Sequence, residues 1–183
     1  MLLLFTDYGW NDPYVGQMKA VLAALAPGVP LIDLLHGVPD FNPHAGAHLL
    51  DALCRGVPDG AVVVAVVDPG VGGPREAVVV EADGRWYVGP DNGLLSIVAG
   101  RAAASRVWRI SWRPESLPDS FHGRDLFAPV AAAIVAGQFP DERLERAVAL
   151  QVQFDLAELP RILYLDHYGN AWTGIRGGLV DTG

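Results

Sequence analysis

Three aspartates stand where apolar runs stop. Asp7 follows LLLFT, Asp68 follows AVVVAVV and Asp166 follows RILYL. In open α/β sheets ligands bind at the carboxyl ends of strands, so acids at those ends are candidates for gripping a ligand or a water. Turn chemistry is the alternative, because Asp favours strand-to-loop positions; it explains one such residue better than three. After Asp68 comes a glycine-rich loop, PGVGGP, that ends on Arg75. A strand running into glycines has the grammar of a phosphate cradle, but an anion cradle offers backbone N–H groups and would not open with a carboxylate. An aspartate and an arginine returned toward each other by a tight loop can instead hold a water. The carboxylate accepts its hydrogen bond, and the guanidinium stabilises developing hydroxide charge. His122, in SFHGRD, is the third candidate. It precedes a helix, whose positive end favours the neutral imidazole, and neutral imidazole accepts a proton. Taken alone, His122 reads better as an exposed loop histidine.

Other groupings carry weaker chemistry. Asp7 and Asp12 are a conceivable magnesium pair, which would suit a metal-dependent phosphoesterase, but Asp12-Pro13 already reads as a helix N-cap followed by proline. His44 and His48 have the spacing of a helical zinc pair, yet the residues between them are Ala, Gly and Ala, without the glutamate of a zinc protease. They read as structural histidines. His36 ends a strand and His167 sits in a turn-like DHYGN.

The elements that would position these residues follow from periodicity. LLLFT and VPLIDLL are predicted strands, and AVVVAVVD is a third whose continuous apolar character suits burial on both faces. A helix is predicted from Tyr14 to Ala26, closed by Pro27-Gly28, and a second over HAGAHLLDALCR, capped by Asn42-Pro43. Strand and helix alternating in this way predicts an α/β layer with parallel pairing. The pattern then changes. AVVVEAD and RWYVG flank Asp83-Gly84, a hairpin signal; GLLSIVAG is a short helix opened by Asn92-Gly93; SRVWRISW is a strand; and residues 114–121 are loop. RDLFAPVAAAIVAGQF is a helix interrupted or started by Pro129, and RILYLD and AWTGI are late strands. The fold class is therefore α/β with a central mostly parallel sheet. Residues 1–155 are expected to form the N-terminal domain, and residues 156–183 the beginning of a small C-terminal β domain, expected to be incomplete at Gly183.

Composition excludes several functions. The chain of 183 residues is 51% hydrophobic and 19% charged, with a formal net charge of -8. It has material for a core and no basic footprint for nucleic acid. Cys54 is the only cysteine, so no internal disulfide forms, and its helical context makes it a small buried apolar residue. No apolar run approaches the ~20 residues of a membrane span, and there is no signal peptide. The expected compartment is the cytoplasm.

FTDYGWNDPYVGQMKA, VDPGVGGPR, VGPDNGLL, SFHGRDLFAPVAA and LDHYGNAWTGI occur in this order. Together they resemble the S-adenosyl-L-methionine (SAM) hydroxide adenosyltransferases, or SAM hydrolases, which share a fold with fluorinase and chlorinase. The resemblance runs from Leu3 to about Ile175. It implies an α/β N-terminal domain, a C-terminal β-barrel, a homotrimer when that barrel is complete, and SAM bound between neighbouring subunits. It also implies attack of water-derived hydroxide on the ribose 5′ carbon, giving adenosine and L-methionine with no metal and no cofactor, SAM being the substrate.

The same resemblance implies the residue roles. Asp68, Arg75 and His122 match the water-activating triad. Asp7 matches the acid that grips the ribose hydroxyls, Asp166 the contact to the methionine ammonium, and Asn170 an adenine-contacting amide. Tyr168, Trp172 and Phe41 are implied neighbours of the adenosine. Which of Asp68 and His122 takes the proton stays open. The related halogenases carry a residue such as Tyr in place of Asp68; a carboxylate facing a halide would repel it, which favours hydrolysis over SAM-dependent halogenation. The competing reading from another class is a non-catalytic SAM or adenosine binder. The glycines of the Asp68–Arg75 loop are expected to allow close approach of a sulfonium substrate.

Overall fold

The computed structural model describes residues 1–179. Nine strands and four α-helices follow in chain order: β1 (Leu2–Thr6), α1 (Tyr14–Leu25), β2 (Leu31–Leu35), α2 (Pro43–Cys54), β3 (Val62–Val66), β4 (Ala77–Ala82), β5 (Arg85–Pro90), α3 (Ser96–Arg101), β6 (Ser105–Ile110), α4 (Ala128–Val135), β7 (Leu144–Ala147), β8 (Leu159–Leu165) and β9 (Ala171–Gly174). Seven strands make one sheet in the order β2-β1-β3-β5-β4-β6-β7, and β8 and β9 make a separate pair. Strands β2, β1, β3 and β5 run parallel. Strands β4, β6 and β7 are added antiparallel.

Both faces of this sheet are covered, as the continuous apolar strands require. Along β3, Val63 and Ala65 point into one core with α2, through Leu49, Leu50 and Cys54. Val62, Val64 and Val66 point into the other, with Met18 and Leu22 of α1 and Phe127, Val130 and Ala131 at α4. The chain leaves β1 for β2 on one side and returns to β3 on the other. The carboxyl ends of β1 and β3 therefore flank a topological switch point, where a crevice opens.

Local signals explain several boundaries. The Asn42 side chain accepts from Ala45 N at 3.0 Å and caps α2, with Pro43 in its first turn. Asp83 and Gly84 both take positive φ, 46° and 76°, as a tight hairpin with right-handed strand twist demands. Asp12, in contrast, does not cap α1. The helix begins on Pro13, whose carbonyl accepts from Gln17 N at 3.0 Å, and no side chain caps it. The short third helix starts at Ser96 and not at Asn92-Gly93; the Asn92 side chain donates to the carbonyl of Val67 and accepts from Leu94 N in the turn before it.

The segment after His122 opens as a π-helical turn, Gly123–Phe127, and becomes α-helical at Ala128. Pro129 has no N–H to close an α-turn on the carbonyl of Asp125, and Ala128 N bonds instead to the carbonyl of Gly123. Pro129 thus both interrupts and restarts the helix. Strand β7, LERA, was not anticipated: it is short, half-polar and at the sheet edge. The β8–β9 pair packs on the α2 side of the sheet through Leu159, Leu163 and Tyr164.

Candidate active site

Asp7 and Asp68 leave the carboxyl ends of the neighbouring strands β1 and β3. Between them and the Ser120–Arg124 segment lies a cleft of about 650 Å³. Its lining includes Asp7, Tyr8, Asp12, Asp40, Phe41 and Asp68, with Phe121, His122 and Arg124 opposite.

The loop after β3 folds back as its sequence suggests. Arg75 Nε donates to both oxygens of Asp68 at 3.1 Å, and its Nη2 also reaches Asp68 Oδ2. The same Nη2 lies 2.8 Å from His122 Nδ1. A guanidinium has donors and no acceptor, so Nδ1 must present its lone pair and the ring hydrogen must sit on Nε2. Burial pushes the His122 pKa down, and the adjacent Arg75 charge adds to the shift. The neutral imidazole anticipated from the sequence is thus favoured by desolvation and by Arg75. Arg75 is itself pinned, with its guanidinium 5.4 Å from the Phe127 ring centre.

One loop glycine serves this arrangement through a contact within the protein. Gly72 has φ 77°, and a Cβ there would overlap the carbonyl oxygen of Asp119. Its bareness lets the Asp68–Arg75 loop close on the segment that leads to His122. At Gly72 the close approach is of protein to protein.

Asp7 is half-buried and accepts from Phe41 N at 3.1 Å. Desolvation raises its pKa, opposed by the Phe41 bond and assisted by nearby Asp40 and Asp68. Phe41 is 74% exposed yet holds φ 54°. Phe121, on the opposite wall, holds φ 64°. Left-handed backbone at a bulky residue costs on the order of 1–3 kcal/mol and gathers at functional sites. Phe121 was not singled out from sequence, where only its place beside His122 could have drawn attention. It stacks with Tyr14 at 5.8 Å, Tyr14 with Tyr8 at 5.6 Å, and the Arg124 guanidinium covers it at 4.5 Å. One wall of the cleft is therefore aromatic.

The remaining sequence candidates lie elsewhere. Asp166 is partly exposed in the β8–β9 turn, where it accepts from Tyr168 N, Asn170 N and Asn170 Nδ2. Its pKa is lowered, first by the Asn170 side chain. Tyr168 is exposed. Asn170 and Trp172 line a second depression that includes His48, Asp51, Arg101 and Arg176. Within one chain these four residues do not join Asp7, Phe41 and the triad. His48 is buried on α2 and His44 faces Phe154 at 4.4 Å.

A family model described as the SAM hydroxide adenosyltransferase N-terminal domain matches residues 2–144. The chain is 39% identical to a Thermus thermophilus protein named (R)-S-adenosyl-L-methionine hydrolase, covering 97% of this chain and 77% of that one. A Methanocaldococcus jannaschii protein of the same name is 34% identical over 96% of this chain and 67% of its own length. A Nocardia brasiliensis fluorinase is more distant, at 26% identity over 96% of this chain and 71% of the other. The fold is similar to that of an uncharacterized conserved protein from Thermotoga maritima, with TM-score 0.87 and 31% identity over 96% of this chain and 72% of that one.

Proposed function

The chain belongs to the SAM hydroxide adenosyltransferase family, and from that premise we propose that it hydrolyses SAM to adenosine and L-methionine in the cleft between β1 and β3. The observation that carries this reading is the Asp68–Arg75–His122 cluster, in which Asp68 and His122 line the cleft and Arg75 bridges them.

In this reading Asp68 accepts a hydrogen bond from the attacking water. Its oxygens have about four lone-pair sites, so some remain beyond the Arg75 contacts. Arg75 lowers the energy of hydroxide as it forms, the task a metal performs in other hydrolases. His122 has its Nδ1 lone pair committed to Arg75, so its part is to hold the guanidinium, and Asp68 takes the proton. The water oxygen bonds to C5′ as the C5′–S bond breaks. The electron pair stays on sulfur, the sulfonium becomes a neutral thioether, and the proton passes from Asp68 to solvent. Charge is cancelled in the step, so a cleft that strips water from both reactants favours it.

The surroundings suit a cation. Asp7, Asp12, Asp40 and Asp68 line the cleft with the aromatic wall of Tyr8, Tyr14 and Phe121, and aromatic faces attract cations. A halide would meet the Asp68 carboxylate and be repelled. Asp7 accepts from the ribose hydroxyls and Phe41 covers the adenosine. Asp166, Tyr168, Asn170 and Trp172 reach substrate from a neighbouring copy in a homotrimer. The exposed apolar side chains Ile162, Leu165 and Tyr168 on that hairpin support such an assembly. We place the reaction in the cytoplasm, without metal or cofactor; no helix among the described residues is long and apolar enough to cross a membrane.

The test is incubation with SAM, with and without a chelator, followed by chromatography. Equimolar adenosine and methionine, unaffected by the chelator, are expected. Intact bound SAM would instead identify a binder, and halide-dependent loss of SAM a halogenase.

A further inference from the structure

Beside the cleft runs a second chain of polar side chains that the proposed reaction does not use. Lys19 Nζ on α1 donates to Asp33 Oδ2 at 2.9 Å. Asp33 Oδ1 lies 3.1 Å from His36 Nε2, and His36 Nδ1 lies 2.8 Å from Thr6 Oγ1. Thr6 Oγ1 accepts from Tyr8 N at 3.2 Å. Thr6 and His36 are both fully buried.

A carboxylate only accepts, so Nε2 of His36 carries a hydrogen, and with a neutral ring Nδ1 then offers a lone pair. Tyr8 N–H fills one acceptor position of Thr6, and the hydroxyl hydrogen points to Nδ1. Hydroxyl, imidazole and carboxylate in this order have the connectivity of a nucleophilic triad. Burial denies Thr6 any substrate, so the array holds something in place.

What it holds is the segment that carries Asp7. Thr6 immediately precedes Asp7. Gly9 N donates to the carbonyl of His36 at 2.7 Å, and Trp10 meets the His36 ring edge-on at 4.7 Å. The same histidine therefore grips this segment on both sides of Asp7, through its ring and through its backbone.

We propose that His36 is a positioning residue that aims the Asp7 carboxylate at the ribose hydroxyls, with Thr6 transmitting its hold and Asp33 and Lys19 fixing its tautomer. The proposal rests on the reading of Asp7 as the ribose acceptor. In this arrangement the buried hydroxyl, not bulk packing, sets the direction of the catalytic loop.

The test compares SAM with its 2′-deoxyribose counterpart in the full chain carrying Thr6→Val, Thr6→Ser, His36→Gln or Asp7→Ala. Thr6→Val and His36→Gln should lower kcat/KM on SAM about tenfold, equivalent to ~1.4 kcal/mol, mainly through KM. The penalty should shrink on the deoxy substrate, which keeps only the 3′-hydroxyl for Asp7, and Thr6→Ser should behave as the parent. Equal penalties on both substrates, or none, would overturn the proposal. Should His36→Gln fail to fold, the near-isosteric Thr6→Val still reads the same hydrogen bond. Asp7→Ala separates the layers. If it distinguishes the two substrates while the Thr6 and His36 variants do not, only the positioning role fails. If Asp7→Ala does not distinguish them, the ribose-gripping role fails and the positioning role with it.

Discussion

At the scale of single residues, Arg75 joins the cluster. It is the one group that touches both Asp68 and His122. Arg75→Ala should leave the fold intact and lower kcat by about 10²–10³-fold, the range for removing one preorganised donor. Arg75→Lys should recover little, because an ammonium cannot present a fork to Asp68 and reach His122 together. Steady-state kinetics with circular dichroism on both variants checks this. The His122 pKa is depressed in the folded protein. Its neutral form therefore stabilises the fold above the ordinary histidine pKa of about 6.5, and that contribution is lost as pH falls through the depressed value. Melting temperature should begin to fall as pH drops through that ordinary value and level off below the depressed one, whereas activity should hold until the depressed value is reached and then drop. His122→Asn, whose amide oxygen takes the place of Nδ1, should flatten the drop. Asp7 has the opposite sign. Its raised pKa means that ionisation at neutral pH costs folded stability, so Asp7→Asn should raise the melting temperature while abolishing tight substrate binding.

At the scale of elements, two loops are fitted to each other. Gly72→Ala must either distort a left-handed residue or push Asp119 away. We expect a loss of activity larger than the loss of stability, since His122 follows Asp119 closely in the chain; calorimetry and kinetics on the variant separate the two. Signals confined to a few residues were legible in the sequence. Asn42-Pro43 caps α2 and Asp83-Gly84 turns the hairpin because each acts through its own backbone. Asp12 misled for a related reason: its residue type suits a cap, but the backbone hands the first turn to Pro13. β7 escaped because LERA has no strand alternation of its own and is recruited by the edge of β6. The π-helical turn was half legible, since Pro129 announced a break but not the hydrogen bond that bridges it.

At the scale of the whole molecule, the parallel half of the sheet and the switch-point cleft followed from alternating strands and helices. So did the meeting of Asp7 with Asp68. The Lys19–Asp33–His36–Thr6 array did not, because its members come from separate parts of the chain; of them only His36, at the end of a strand, stood out. The separation of Asp166, Tyr168, Asn170 and Trp172 from the cleft belongs to this scale too. With a neighbour's hairpin completing the site, light scattering should give the mass of three copies, and Leu165→Asp should lower both mass and turnover. A monomer that turns over at the parent rate would contradict the shared site. The central claim is that a protein-activated water attacks C5′, and turnover of SAM in oxygen-18 water followed by mass spectrometry tests it most directly. The account predicts the heavy oxygen in the 5′-hydroxyl of adenosine, with unlabelled methionine in equal amount. Heavy oxygen in an amino-acid product, or SAM recovered intact, would contradict it.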